Sequence, residues 1–316
     1  MTAVEHVFSI PLRARFRGVD VRQGVLIRGA AGWGEFSPFH DYADAEAATW
    51  WAAAREAAET GWPPPVRDRV PVNATVPAIP PRDVSSLLAA FPGCHTVKVK
   101  VAQAGQSSAD DQARLRAVRE AVGSSGRIRI DANGAWDIDT ARRLLPLYDR
   151  AANGLEYAEQ PCASVDDLAA LRRHVDVPIA ADESIRRSDD PFRVAKLGAA
   201  DVAVLKVQPL GGVWACLRIT EELGLPVVVS SALETSVGIA AGVALAAALP
   251  DLPYACGLAT ATLLMRDVVR EPVVAVNGAV PVSRPEPDPA ALAAVRADDA
   301  TAAWWRDRAG RAAQLA

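Results

Sequence analysis

Between Val70 and Ala259 one pattern recurs: a short apolar run, a polar or glycine break, then an amphipathic Ala/Leu/Arg-rich stretch. The apolar runs fall at 70–76 (VPVNATV), 96–102 (TVKVKVA), 127–131 (RIRID), 154–159 (GLEYAE), 178–183 (PIAADE), 201–207 (DVAVLKV), 226–232 (PVVVSSA) and 253–259 (PYACGLA). Runs this short read as buried strands, and the intervening stretches, DDQARLRAVREAV and VDDLAALRRHV among them, carry helical spacing. Strands that alternate with helices pair in parallel through crossovers. Eight of them over 189 positions (259 − 70 = 189) match a closed (β/α) barrel. An open doubly wound sheet is the alternative, but it normally carries a Gly-rich phosphate fingerprint after its first strand, and this chain has none.

The flanks follow other rules. Residues 4–38 alternate in short runs (VFSIPL, VDVRQGVLIRG, GWGEFSPF) with glycine breaks, which predicts an antiparallel meander. From Asp41 to Gly61 an Ala-rich stretch with Trp50 and Trp51 predicts a helix, closed by Gly61 and Pro63-Pro64-Pro65. Residues 1–65 therefore form an α+β unit and 66–264 the barrel. In the tail, 265–316, VVAVNGAVPV predicts a hairpin around Asn277-Gly278, and residues from Asp299 onward a solvent-facing helix. This tail is expected to pack back on the N-terminal unit.

Several function classes are disfavoured. The net charge is −4, so there is no basic footprint for nucleic acid. No apolar run approaches the roughly 20 residues that span a bilayer, so no membrane partner is expected. The start MTAVEHVFSIPLRARF lacks the charged-then-apolar build of a signal peptide. Cys94, Cys162, Cys216 and Cys256 show no CxxC spacing and read as buried thiols of a cytoplasmic protein. His40, His95 and His174 show no partner pattern and read as structural.

In a barrel the C-terminal ends of the strands converge on one mouth, where catalytic groups gather. Here the second strand carries Lys98 and Lys100 on one side, the third ends in Asp131, the fourth in Glu159 and the fifth in Asp182; the sixth holds Lys206. The steps of 28, 23 and 24 residues from Asp131 to Glu159, Asp182 and Lys206 are each about one βα unit. Singly, each carboxylate could be an ion-paired strand end. As a ladder, three carboxylates at one mouth repel unless a cation sits among them. All-oxygen donors suit a hard divalent ion such as Mg²⁺, with Mn²⁺ as substitute, and no histidine joins them to favour zinc. Two lysines inside a Val-rich strand need partners, which a substrate carboxylate would help supply. A lysine beside another cation can lose its proton more readily and serve as a base.

Lys-Val-Lys, Arg-Ile-Asp-Ala-Asn, Glu-Gln-Pro, Asp-Glu-Ser and Lys-Val-Gln, in that order and spacing, resemble the enolase superfamily in its muconate-lactonising subgroup. The segments PLRARFRG, GWGEFSPF, SSALETSVG and CGLAT are similar to a dehydrating branch of it. The resemblance extends over the whole chain. It implies an α/β fold, a modified (β/α)8-type barrel of (β/α)7β form under an N-terminal capping domain completed by the tail. It implies Mg²⁺ on Asp131, Glu159 and Asp182, Lys100 as base and later acid, and Lys206 as the cation opposite. Lys98 would tune Lys100, and Arg129 and Asn133 would support the metal end. Ser230, Ser231 and Leu233 would line the pocket, Gly257 would leave room for an arm of the substrate, and Phe16-Arg17-Gly18 and Tyr42 would close the mouth. The implied reaction is proton abstraction next to the carboxylate of a small molecule, then loss of water. Racemisation of N-acylamino acids, which needs the same metal and lysines, and a non-catalytic ligand-binding barrel are the alternatives. No oligomeric state follows from the sequence.

Overall fold

The computed structural model describes residues 4–16, 18–188 and 190–316. Three strands, β1 (Val4–Phe16), β2 (Val19–Gly29) and β3 (Gly32–Phe36), form the expected antiparallel meander in the order β1-β2-β3. The helix Asp44–Arg55 lies on this sheet and buries Trp50 and Trp51, the latter edge-on to Phe36 at 5.5 Å. Its approach is close: a Cβ on Gly34 would stand 2.0 Å from the carbonyl oxygen of Ala54, so only glycine fits there. The helix ends as a widened π turn, Glu56–Thr60, which follows the regular part directly. Glu56 then accepts from the backbone N–H of Val213, at 2.6 Å, and ties this unit to the barrel.

Seven parallel strands make the barrel wall: β5 (Ala74–Val76), β6 (Thr96–Lys100), β7 (Arg127–Asp131), β8 (Tyr157–Glu159), β9 (Ile179–Ala181), β10 (Val202–Lys206) and β11 (Val227–Ser230), in sequential order. The eighth run forms no regular strand. It closes the ring through single bridges instead, Cys256 to Val72 on one side and Gly257 to Ser230 on the other. The run expected at 70–76 is split: β4 (Arg69–Pro71) leaves the barrel and pairs with β12 (Ala279–Pro281) of the tail. Asn277 and Gly278, both at positive φ, form the expected tight turn, and Val276 and Ala279 bridge antiparallel across it; beyond that one bridge the strand pairs with β4 instead of extending the hairpin. The physical reason is burial: paired with β4, Val280 is fully covered, as a two-stranded surface hairpin would not allow.

The tail helix Asp299–Leu315 packs against the helix Asp44–Arg55 and buries Trp305, Arg308 and Ala309, so it is solvent-facing on one side only. Alanines on both helices let them approach. Along the wall, Lys100 is level with Asp131 and Asp131 with Glu159; Glu159 is level with Ala180, two residues before Asp182, and Ala180 with Val202, four before Lys206. This progressive stagger is what a tilted, closed barrel requires.

Candidate active site

Lys98, Lys100, Asp131, Glu159, Asp182 and Lys206 meet at the C-terminal end of the sheet, none more than 7% exposed. Lys98 Nζ donates to both oxygens of Glu159 at 2.8 Å and lies 3.3 Å from Asp131 Oδ2. Lys100 Nζ bonds Asp131 Oδ2 and donates to Asn133 Oδ1 at 2.8 Å. Lys206 Nζ bonds Asp182 Oδ2, and Arg186 Nε donates to Asp182 Oδ1 at 2.7 Å. Strands β7, β8 and β9 separate β6 from β10, half the circuit of an eight-membered ring. Lys100 and Lys206 therefore face each other across the mouth.

Burial opposes every charge here, and the neighbours decide each outcome. At Lys98 burial is overcome by Glu159 and Asp131, which hold its pKa above the ordinary lysine value. At Lys100 burial prevails; Asp131 opposes it, Lys98 adds to it, and the pKa is lowered. Burial and then repulsion from Asp131 push Glu159 up to about 7, against the pull of Lys98. Asp131 and Asp182 are also raised by burial, but Lys100 and Lys98 at the first and Arg186 and Lys206 at the second hold them below the usual carboxylate range. Two lysines only two residues apart on β6 thus diverge: Lys98 stays an ammonium, and Lys100 is the readier to give up its proton.

The three carboxylates fit a hard divalent cation by donor chemistry and by position, since Asp131 and Glu159 are level neighbours and an ammonium already spans them. Their oxygens are turned toward lysines and Arg186. Among the described residues no three His, Cys, Asp or Glu side chains converge on one point as a formed metal cage. Binding an ion there requires these ammonium contacts to loosen.

Ser230, Ser231, Leu233 and Gly257 line the same cleft, together with Phe16 and Phe39. Ser231 Oγ donates to the carbonyl of Gly257 at 2.7 Å, so it braces the closing segment. Leu233 holds a left-handed backbone, φ 63°, and its carbonyl accepts from Arg22 of the cap at 3.1 Å. Asn133, also left-handed, donates its backbone N–H to Asp131 Oδ1 at 3.0 Å. Arg17 lies outside the described residues. Arg129 stands one layer below the mouth, where its Nε donates to Glu156 at 2.5 Å and its guanidinium stacks on Tyr157 at 4.7 Å. It touches none of the mouth carboxylates directly. His40 stacks on Trp304 at 4.7 Å and is not among the residues that line the cleft, and the four cysteines are free.

Three functional neighbours escaped the sequence reading. Gln160 accepts at Oε1 from the N–H groups of Asp182 and Ser184, at 3.0 and 3.1 Å, and so sets the Asp182 loop. Glu183 and Arg186 continue from Asp182 on a single helical turn, Glu183–Arg186. The signal was available for Arg186: four residues after Asp182, it shares a helical face with it.

Residues 84–288 match the family described as Enolase C-terminal domain-like, and residues 7–58 that described as Enolase N-terminal domain-like. The chain belongs to the enolase superfamily. Among its enolase-superfamily relatives is an o-succinylbenzoate synthase of Thermobifida fusca, 63% identical over 97% of this chain and 95% of that protein. Another, from Mycobacterium marinum, is 54% identical over 96% of this chain and 91% of that one. The fold is also that of muconate lactonizing enzyme from Pseudomonas fluorescens, solved with muconolactone: TM-score 0.78, 23% identity, 94% of this chain and 100% of that one. The L-Ala-D/L-Glu epimerase of Bacillus subtilis superposes with TM-score 0.75 at 23% identity, over 91% of this chain and 98% of that one. No helix among the described residues is long and apolar enough to cross a membrane.

Proposed function

We propose that the chain acts as an o-succinylbenzoate synthase, removing water from 2-succinyl-6-hydroxy-2,4-cyclohexadiene-1-carboxylate to give o-succinylbenzoate for menaquinone biosynthesis in the cytoplasm. The observation that carries this reading is the pair Lys100 and Lys206 facing each other across a mouth whose lysines are paired with three buried carboxylates. The identity to the Thermobifida fusca synthase supports the choice of substrate. Asp131, Glu159 and Asp182 would hold Mg²⁺, or Mn²⁺ in its place. When bound, the ion would offer positive charge to the substrate carboxylate and to the negative charge that develops on it.

The rest is the work of the chain's own groups. Lys100, as neutral amine, takes the proton from the carbon next to the carboxylate, and the C–H electrons move into the carboxylate system. Lys206 stays an ammonium beside the enediolate and stabilises it. Lys100, now charged, returns its proton to the leaving hydroxyl on the same face; the C–O bond breaks, water departs and the ring becomes aromatic. Lys98 favours the neutral amine of Lys100 by repulsion and is itself kept charged by Glu159. Ser230, Gly257 and Leu233 shape the space for the succinyl arm, with Arg17 at the cap side. Asn133 orients Lys100, and Arg129 braces the wall beneath.

Steady-state dehydration of the cyclohexadiene with Mg²⁺, followed by loss of diene absorbance, is the test. The expected result is turnover that a chelator abolishes. No turnover with metal present would end the proposal, and a higher kcat/KM on an N-acylamino acid would replace it with the racemase reading.

A further inference from the structure

Arg186 is 8% exposed and belongs to the lining of the active-site cleft, yet each of its three nitrogens is engaged. Its Nε donates to Asp182 Oδ1 at 2.7 Å, its Nη2 to Glu183 Oε1 at 2.6 Å, and its Nη1 to the hydroxyl of Tyr42. Glu183 Oε1 also accepts from Asn133 Nδ2 at 3.1 Å, and Asn133 Oδ1 accepts from Lys100. Asp182 Oδ2 accepts from Lys206 on the far side. An unbroken strap thus runs from Lys100 through Asn133, Glu183, Arg186 and Asp182 to Lys206. It joins the two lysines by a route over the rim of the mouth rather than through the substrate space.

Tyr42 connects this strap to the cap. It sits in the loop after β3, its ring edge-on to Trp50 at 5.9 Å and to Phe39, which lines the cleft, at 5.9 Å. The loop is held from behind by Arg308 of the tail helix, which donates to the carbonyls of Phe39 at 2.9 Å and Tyr42 at 2.6 Å. The cap loop is therefore held through its backbone by the tail and through the Tyr42 hydroxyl by Arg186.

We infer that Arg186 is a positioning residue that couples the seating of the cap loop, through Tyr42, to the orientation of Asp182 and of Lys100. Three acceptors lie in three directions around one planar group, a task for which guanidinium is built and a single ammonium is not. A role limited to neutralising Asp182 would need only one of these bonds, and Lys206 already supplies a charge there. Groups that hold a ligand carboxylate from outside commonly alter metal affinity or activity by about 10–100-fold when removed. The inference deepens the proposed dehydration, and its rate arm rests on that reading; its metal-affinity arm does not.

The decisive measurement is calorimetric Mg²⁺ titration of the full chain and of Tyr42→Phe, Arg186→Lys and the double variant, with circular dichroism to verify folding. Tyr42→Phe removes the hydroxyl that accepts from Arg186, and it should weaken Mg²⁺ by about tenfold. Arg186→Lys should weaken it by about 10–100-fold, and the double variant no further, because both changes cut one strap. In the dehydration assay kcat should follow the same order, with KM moving less than kcat. Unchanged Mg²⁺ affinity in Tyr42→Phe, or losses that simply multiply in the double variant, would overturn the inference. If Arg186→Lys does not fold, the Tyr42→Phe titration decides alone. A wild-type chain that binds Mg²⁺ but leaves the cyclohexadiene untouched would remove the proposed function while the titrations still judge the strap.

Discussion

On β7 Arg129 and Asp131 face the barrel interior from positions two apart; on β8 Tyr157 and Glu159 do so, on β10 Val204 and Lys206, on β11 Val228 and Ser230. The first of each pair belongs to the floor of the barrel and the second to its mouth. In the floor, Tyr157, Ala180, Val202, Val204 and Val228 pack into an apolar cluster of their own, and Tyr254 leans on it. Arg129, at the level of this layer, is answered by Glu156 and by the faces of Tyr157 and Tyr254, while Lys98, level with it on β6, reaches up to Glu159. In the mouth the strand ends of β6, β7, β8 and β10 and the residue just past β9 are charged, as Lys100, Asp131, Glu159, Lys206 and Asp182. Buried apolar area stabilises at about 25 cal/mol per Å², whereas buried ion pairs roughly balance their own desolvation. One layer thus supplies stability and the other chemistry, with a single turn of the pleat between them.

Lysine removal is the strongest way to test that division. Lys100→Ala and Lys206→Ala should each lower kcat by on the order of 10² to 10⁴, with Tm falling by no more than about 4 °C. An equal loss of stability and rate would mean that the mouth also holds the barrel together.

Asp182→Asn sharpens the comparison, because Asp182 carries both roles. It should abolish measurable Mg²⁺ binding. It should also cost about 3 kcal/mol in denaturant unfolding under chelator, since Arg186 and Lys206 lose their common carboxylate. Like-charge repulsion among the three carboxylates would instead make the variant more stable than wild type, and the unfolding midpoint separates the two.

For the floor, Arg129→Leu should cost about 2–3 kcal/mol, at the low end for a broken buried pair because Arg127 still holds Glu156 at 2.9 Å. Its kcat below the melting range should stay within about threefold of wild type. A collapse of kcat in a folded Arg129→Leu would show that the layers are not separable and that Arg129 supports the metal end from a distance.

The smallest effect is expected at Gly257→Ala. Its new methyl would stand 2.7 Å from Ser230 Oγ, a hydroxyl that can rotate away, and no positive φ adds strain. KM for the cyclohexadiene should rise by a few fold with kcat nearly constant, as for lost uniform binding. An unmoved KM would place the succinyl arm elsewhere in the cleft.

The charged ladder was legible in the sequence because each member sits in or just after the C-terminal half of an apolar run, and a barrel brings such ends together whatever the loops do. Lys98, Lys100, Asp131, Glu159, Asp182 and Lys206 could all be marked before any coordinate was known. Arg129 was harder: alternation placed it on the same side as Asp131, but alternation cannot say how far down the barrel a guanidinium will reach or that Glu156 will meet it. The eighth strand was overread, because PYACGLA has the composition of a strand yet closes the ring through two bridges alone.

What the sequence determined by itself is local and periodic: strand and helix spacing, the meander, and the residue type at each strand end. These follow from backbone geometry and from the cost of leaving apolar side chains in water. Only the tertiary structure decided which charges pair with which, that β12 pairs with β4, and that Tyr42 of the cap meets Arg186 of the barrel, 144 positions later. Such pairings depend on register and on side-chain reach between distant segments. The periodicity of any one segment carries no trace of them.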